Sequence, residues 1–145
     1  MKKSNILLIL SFLFADTTFA QTPEILSIRK YTQKNAGKLI AEYSSFLSLP
    51  NLAADPVNLK KNATFIMKMM NQRGIKNVQL LEASTDGVPP AAYGEVIVPG
   101  ATQTLIFYAH YDGQPVNPDQ WAKGLEPFKP SLFSKAIYQD GIPIP

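Results

Sequence analysis

An α/β fold is predicted by the order in which the hydrophobic period changes along the chain: two segments with apolar residues three and four apart come first, and three short β-patterned segments follow. The last of these, Leu105-Ile106-Phe107-Tyr108-Ala109, is apolar without alternation, as expected of a central strand covered on both faces. Turn-forming clusters at Ser84-Thr85-Asp86-Gly87 and Pro99-Gly100 separate the three segments. With 145 residues, 46% hydrophobic and 17% charged, the chain has the composition of a single small globular domain.

The N-terminus is set apart from that pattern. Met1-Lys2-Lys3-Ser4-Asn5 is a positive lead, Ile6 to Phe14 is apolar except for Ser11, and Thr18-Phe19-Ala20 offers small residues before Gln21. These predict a secretory signal peptide over residues 1–20, cleaved after Ala20, and an exported product, periplasmic or extracellular. The apolar run is far below the ~20 residues that span a bilayer, so no stable membrane anchor is expected. The absence of cysteine excludes a disulfide and a lipid-modified N-terminal cysteine. The formal charge of +3 falls to +2 once Lys2, Lys3 and Asp16 are removed, and the remaining lysines are scattered, so no nucleic-acid binding is predicted.

The first helix is expected from about Glu24 to Leu49, with Ala36, Leu39, Ile40, Tyr43, Phe46 and Leu47 forming a stripe that buries one face. Leu49-Pro50 ends it, because the residue before a proline is pushed out of helical conformation. The second helix starts with Asp55 as N-cap and Pro56 at the first helical position, where a missing N–H costs nothing. Ala63, Ile66, Met67, Met69 and Met70 form its apolar face, the methionines reading as adaptable core filler, and Gly74 is a left-handed stop. Asn62-Ala63-Thr64 matches a glycosylation acceptor by pattern only and is discounted on a helix. Strands are expected around Val78 and Leu80, from Tyr93 to Val98, and from Thr104 to Ala109. From Pro115 onward the prolines Pro115, Pro118, Pro127 and Pro130 leave an irregular loop. Its Trp121 and Phe128 either line a pocket or anchor the loop on the domain.

The third strand runs into His110-Tyr111-Asp112. Side chains two residues apart in an extended segment share a face, so His110 and Asp112 can converge beyond the strand end, where ligands of open α/β sheets collect. A neutral imidazole is a metal ligand, and a neighbouring carboxylate can fix its tautomer. His110 is the single histidine, so further ligands must come from elsewhere; taken alone, a His-x-Asp is also compatible with a histidine satisfied by a backbone carbonyl.

His110-Tyr111-Asp112-Gly113-Gln114-Pro115-Val116, then Trp121, then Glu126-Pro127-Phe128-Lys129-Pro130, resembles the first metal-ligand block of the carnosinase-like metallopeptidases, whose wider family includes acetylornithine deacetylases, succinyl-diaminopimelate desuccinylases and aminoacylases. In the dipeptidase branch the block reads His-Tyr-Asp-Val-Gln-Pro-Val; this chain has Gly113 where that branch often has valine. The resemblance implies the N-terminal portion of an α/β/α zinc-exopeptidase catalytic domain over residues 21–145. It implies two zinc ions per complete site, with cobalt or manganese as alternatives, and a small peptide or N-acyl amino acid as substrate. The complete parent would be a homodimer. Carried over by motif position, His110 is a metal ligand and Asp112 the catalytic carboxylate that holds and polarises its imidazole.

The later blocks of that family, an Asp-Asp-Lys with the bridging aspartate, a Glu-Glu pair, a further acidic ligand and a distal histidine, have no counterpart, since only Asp119, Glu126 and Asp140 follow the motif as acids. Asp140-Gly141 reads as a turn. The expectation is a fragment of the catalytic domain, without the lid and dimerisation domain, inactive as a peptidase by itself and prone to associate through exposed apolar strand surface. The alternatives from other classes are a non-catalytic periplasmic binding module built on Trp121 and Phe128, or a remnant without function.

Overall fold

The computed structural model describes residues 22–85 and 87–144, so the expected signal peptide lies outside the described residues. Two helices, α1 (Pro23–Leu47) and α2 (Pro56–Gln72), precede two strands, β1 (Lys76–Leu81) and β2 (Ala91–Glu95), giving a mixed α/β chain. No helix among the described residues is long and apolar enough to cross a membrane. The chain divides into two compact units, with the boundary between Ala36 and Gly37 inside α1.

In the first unit, the described part is the opening of α1, where Thr22 Oγ1 accepts from the Ile25 N–H at 3.5 Å and its carbonyl accepts from Leu26 at 3.1 Å. Glu24 in the first turn is held below the ordinary carboxylate value by a hydrogen bond from Thr22.

In the second unit, α2 starts as its sequence dictates: Asp55 accepts from the Asn58 N–H at 3.0 Å and Pro56 takes the first turn. That hydrogen bond is the main reason Asp55 sits below the usual aspartate value. Gly74 follows the helix with φ +71°, a conformation a β-carbon disfavours. The helix packs on both strands and buries Leu59 and Ala63 completely. Gly94 on β2 marks the closest approach, since a β-carbon there would stand 2.6 Å from Ile75 Cγ2 and 3.3 Å from Met70 Sδ. β1 and β2 pair antiparallel, Gln79 opposite Tyr93 and Leu81 opposite Ala91, with an irregularity between Lys76 and Gln79. Asn77 absorbs it at φ 52°, a region asparagine tolerates better than most residues. Beyond the sheet, Phe133 bridges Pro143, and the Asp140-Gly141 turn, with Asp140 at φ 57°, closes the loop between them.

Three expectations are corrected. The stripe on α1 is not a buried face: the helix contains no buried residue, and Ile40, Tyr43 and Leu47 are exposed. Within the second unit, its C-terminal part meets α2 through Phe46 stacked on Phe65, with centroids 5.7 Å apart, and through a Glu42–Arg73 ion pair. The second strand ends at Glu95 rather than Val98, because the β1 ladder ends at Lys76 opposite Glu95 and offers Val96–Val98 no partner. The third strand, Thr104–Ala109, is not formed. Its backbone pairs with no described residue, and Leu105 and Phe107 are 77% and 92% exposed. A strand exists through its ladder, and an apolar central one also needs cover on both faces; the described residues supply neither.

Candidate functional site

The segment that should have been a strand still delivers the His-x-Asp pair. His110 Nδ1 and Asp112 Oδ1 lie 3.0 Å apart, as the extended spacing predicts. The two side chains are 70% and 44% exposed, so solvent reaches both. With Asp112 on Nδ1, the imidazole is directed toward the tautomer that carries its proton there, which leaves the Nε2 lone pair for a ligand. Tyr108 flanks the ring edge-on, centroids 5.3 Å apart, with its hydroxyl 3.4 Å from Nε2, too long for a strong hydrogen bond.

Tyr111, between them in sequence, is held by a different partner. Its hydroxyl donates to the Pro90 carbonyl at 2.5 Å, just before β2. Partial burial first, then the negative charges of Asp112 and Glu82, push its phenol above the ordinary value, so it stays a donor well past neutral pH. His110 and Asp112 stand at the edge of a cavity of about 690 Å³ whose walls come from α2 (Leu59, Ile66, Met69, Met70) and from the start of β2. The site therefore sets one imidazole–carboxylate pair beside an apolar wall.

A structural zinc takes four protein ligands and a catalytic one three. Among the described residues no group of three His, Cys, Asp or Glu side chains is placed to hold a metal ion. His110 and Asp112 fit one ligand and its orienting carboxylate, and they do not by themselves fit a zinc site. Asp119, Glu126 and Asp140 are not brought to them; Glu126 instead pairs with Lys129 at 2.5 Å.

Two asparagines that the sequence did not single out for the site matter to it. Asn51 donates from Nδ2 to the Tyr111 carbonyl at 3.1 Å. Asn62, 1% exposed, donates to the carbonyls of Pro50 at 2.7 Å and Asn58 at 2.9 Å. That amide is consumed in the interior, which agrees with discounting the glycosylation pattern at Asn62. Trp121 and Phe128 share a second cavity, of about 370 Å³, with Phe46, Val116 and Pro130. Comparison with family models, curated proteins and solved structures gives no match for this chain.

Proposed function

We propose that His110 and Asp112 form the first metal-ligand block of an exported, zinc-dependent hydrolase that cleaves the amide bond of dipeptides or N-acyl amino acids, and that this chain contributes only part of that site. The observation that supports the reading is the 3.0 Å contact between His110 Nδ1 and Asp112 Oδ1 at the end of an apolar extended run. It is the arrangement in which a carboxylate orients a metal-binding imidazole through the nitrogen that the metal does not use. Zinc bound in such a site would polarise the scissile carbonyl and lower the pKa of a bound water. The chain's own contribution is to hold the imidazole with Nδ1 toward Asp112.

The test begins with the genomic DNA downstream of the Pro145 codon, translated in all frames. An Asp-Asp-Lys block, a Glu-Glu pair and a distal histidine are expected there. In the completed protein, His110→Ala lowers bound zinc, whereas Asp112→Asn lowers turnover roughly 10- to 100-fold and changes zinc content less. A clean stop without those blocks, or full turnover with Asp112→Asn, overturns the reading.

A second reading keeps one observation of its own. The cavity shared by Trp121 and Phe128 suits non-catalytic capture of an apolar group. Zinc stoichiometry in the completed protein separates the two readings.

A further inference from the structure

We infer that Asn51, in the connection between α1 and α2, is the positioning residue for the His110–Asp112 pair, and that position 113 must be glycine to admit it. The inference rests on the reading of that pair as metal-facing. Three hydrogen bonds grip the chain on either side of Asp112. Asn51 Nδ2 donates to the Tyr111 carbonyl at 3.1 Å, the Gly113 N–H donates to the Asn51 carbonyl at 2.6 Å, and the Ala53 N–H donates to the Gly113 carbonyl at 2.9 Å. Leu52 and Gly113 thereby form an isolated parallel bridge, the one place where the described residues give this segment a strand-like partner.

The connection is itself anchored. The buried Asn62 on α2 donates to the Pro50 carbonyl, one residue before Asn51. From the other side, the Tyr111 hydroxyl ties the motif to Pro90. His110 and Asp112 share a face only while residues 110–112 stay extended, so a rotation at Tyr111 would carry the carboxylate away from Nδ1. Asn51 opposes that rotation by holding the peptide units on either side of Asp112, through the Tyr111 carbonyl and the Gly113 N–H.

Gly113 is the other half of the device. A β-carbon there would lie 2.8 Å from Asn51 Oδ1, closer than real β-carbons come, and 3.2 Å from its Cγ and Nδ2, tighter than most. A side chain at 113 therefore requires the Asn51 amide to shift from its gripping position. The valine common in the resembled dipeptidase branch would therefore displace Asn51, and the departure at Gly113 and the asparagine at 51 belong together.

The single histidine makes the test direct, because one imidazole gives one set of ring nitrogen signals. In the full chain, labelled with nitrogen-15 and held at a pH where the ring is neutral, the ring nitrogen shifts give the ratio of the Nδ1–H to the Nε2–H tautomer. Asn51→Ala is expected to lower that ratio by roughly three- to tenfold, the effect of losing one aligned hydrogen bond, with the backbone signals of α2 and β1 unchanged. Gly113→Ala is expected to do the same, and adding it to Asn51→Ala to cost little more, since the two act on one contact. An unchanged ratio in either single variant overturns the inference. So does global unfolding of Asn51→Ala, which would make Asn51 a residue of the core. Asp112→Asn separates this inference from the proposed function: a ratio that ignores Asp112→Asn means the pair is not formed and removes the support for the hydrolase reading. A ratio that responds to Asp112→Asn and not to Asn51→Ala defeats only the role of Asn51.

Discussion

Replacing Tyr111 with phenylalanine removes one oxygen and tests whether the motif is tied to the sheet. The hydroxyl donates to the Pro90 carbonyl at 2.5 Å, and Pro90 is buried. The net contribution of such a bond is about 0.5–1.5 kcal/mol, and a buried carbonyl left without a donor costs about 1–3 kcal/mol. Tyr111 is only half-buried, so water recovers part of that loss, and the expected destabilisation is about 1–2 kcal/mol. With a urea dependence of roughly 1–3 kcal/mol per molar, the unfolding midpoint falls by about 0.3–2 M. The pH dependence gives an independent check. Burial, then Asp112 and Glu82, raise the Tyr111 phenol in the folded chain above its ordinary value of 10.0. A group raised on folding contributes stability that is complete below its unfolded pKa and is lost as pH rises through the folded one. The difference in stability between wild type and Tyr111→Phe should therefore be flat up to about pH 10 and shrink above it. Equal urea midpoints, or a difference that does not shrink at alkaline pH, would show that the hydroxyl is not holding Pro90.

Two further substitutions probe the core and the unpaired segment. Leu59→Ala removes one of the few fully buried apolar side chains, and because Leu59 also lines the 690 Å³ cavity, the space left is open to solvent. The cost should fall at the low end of the large-to-small range, about 2–3 kcal/mol, read as a drop in urea midpoint larger than that of Tyr111→Phe; a loss below about 1 kcal/mol would mean that α2 is not seated on the sheet. Phe107→Lys changes a side chain that is 92% exposed, so it should leave stability within about 0.5 kcal/mol while lowering concentration-dependent association in sedimentation. Equal association of the two proteins would show that Leu105–Tyr108 is not the contact surface.

What could be read from the sequence was local. The Asp55-Pro56 start of α2 and the Gly74 stop are each decided by a few neighbouring atoms, and both stand where their residue types put them. β1 was legible because its alternation coincides with a real partner in β2. The α1 stripe and the Leu105–Ala109 run failed for the opposite reason. Their apolar content states what should be covered, and the cover depends on residues far away in sequence. Asn51 and Asn62 carried no usable signal, because an asparagine in a connection and another on a helix read as solvated polar residues until the Tyr111 and Pro50 carbonyls are seen beside them.

The same distinction explains why the His110–Asp112 contact forms where the expected third strand does not. The His110–Asp112 contact needs two residues of extended backbone and something to keep it extended. Asn51, through the connection that Asn62 anchors, and Tyr111, through Pro90, provide that without help from neighbouring strands. A metal set is a long-range property, requiring three or four ligands from separate stretches of chain to meet at one point. On the proposed reading, the orienting pair is thus in place before any further ligand arrives. Its entropic cost is met by the hydrogen bonds of α2 and its connection, so on the proposed reading a metal would not have to order His110 as well.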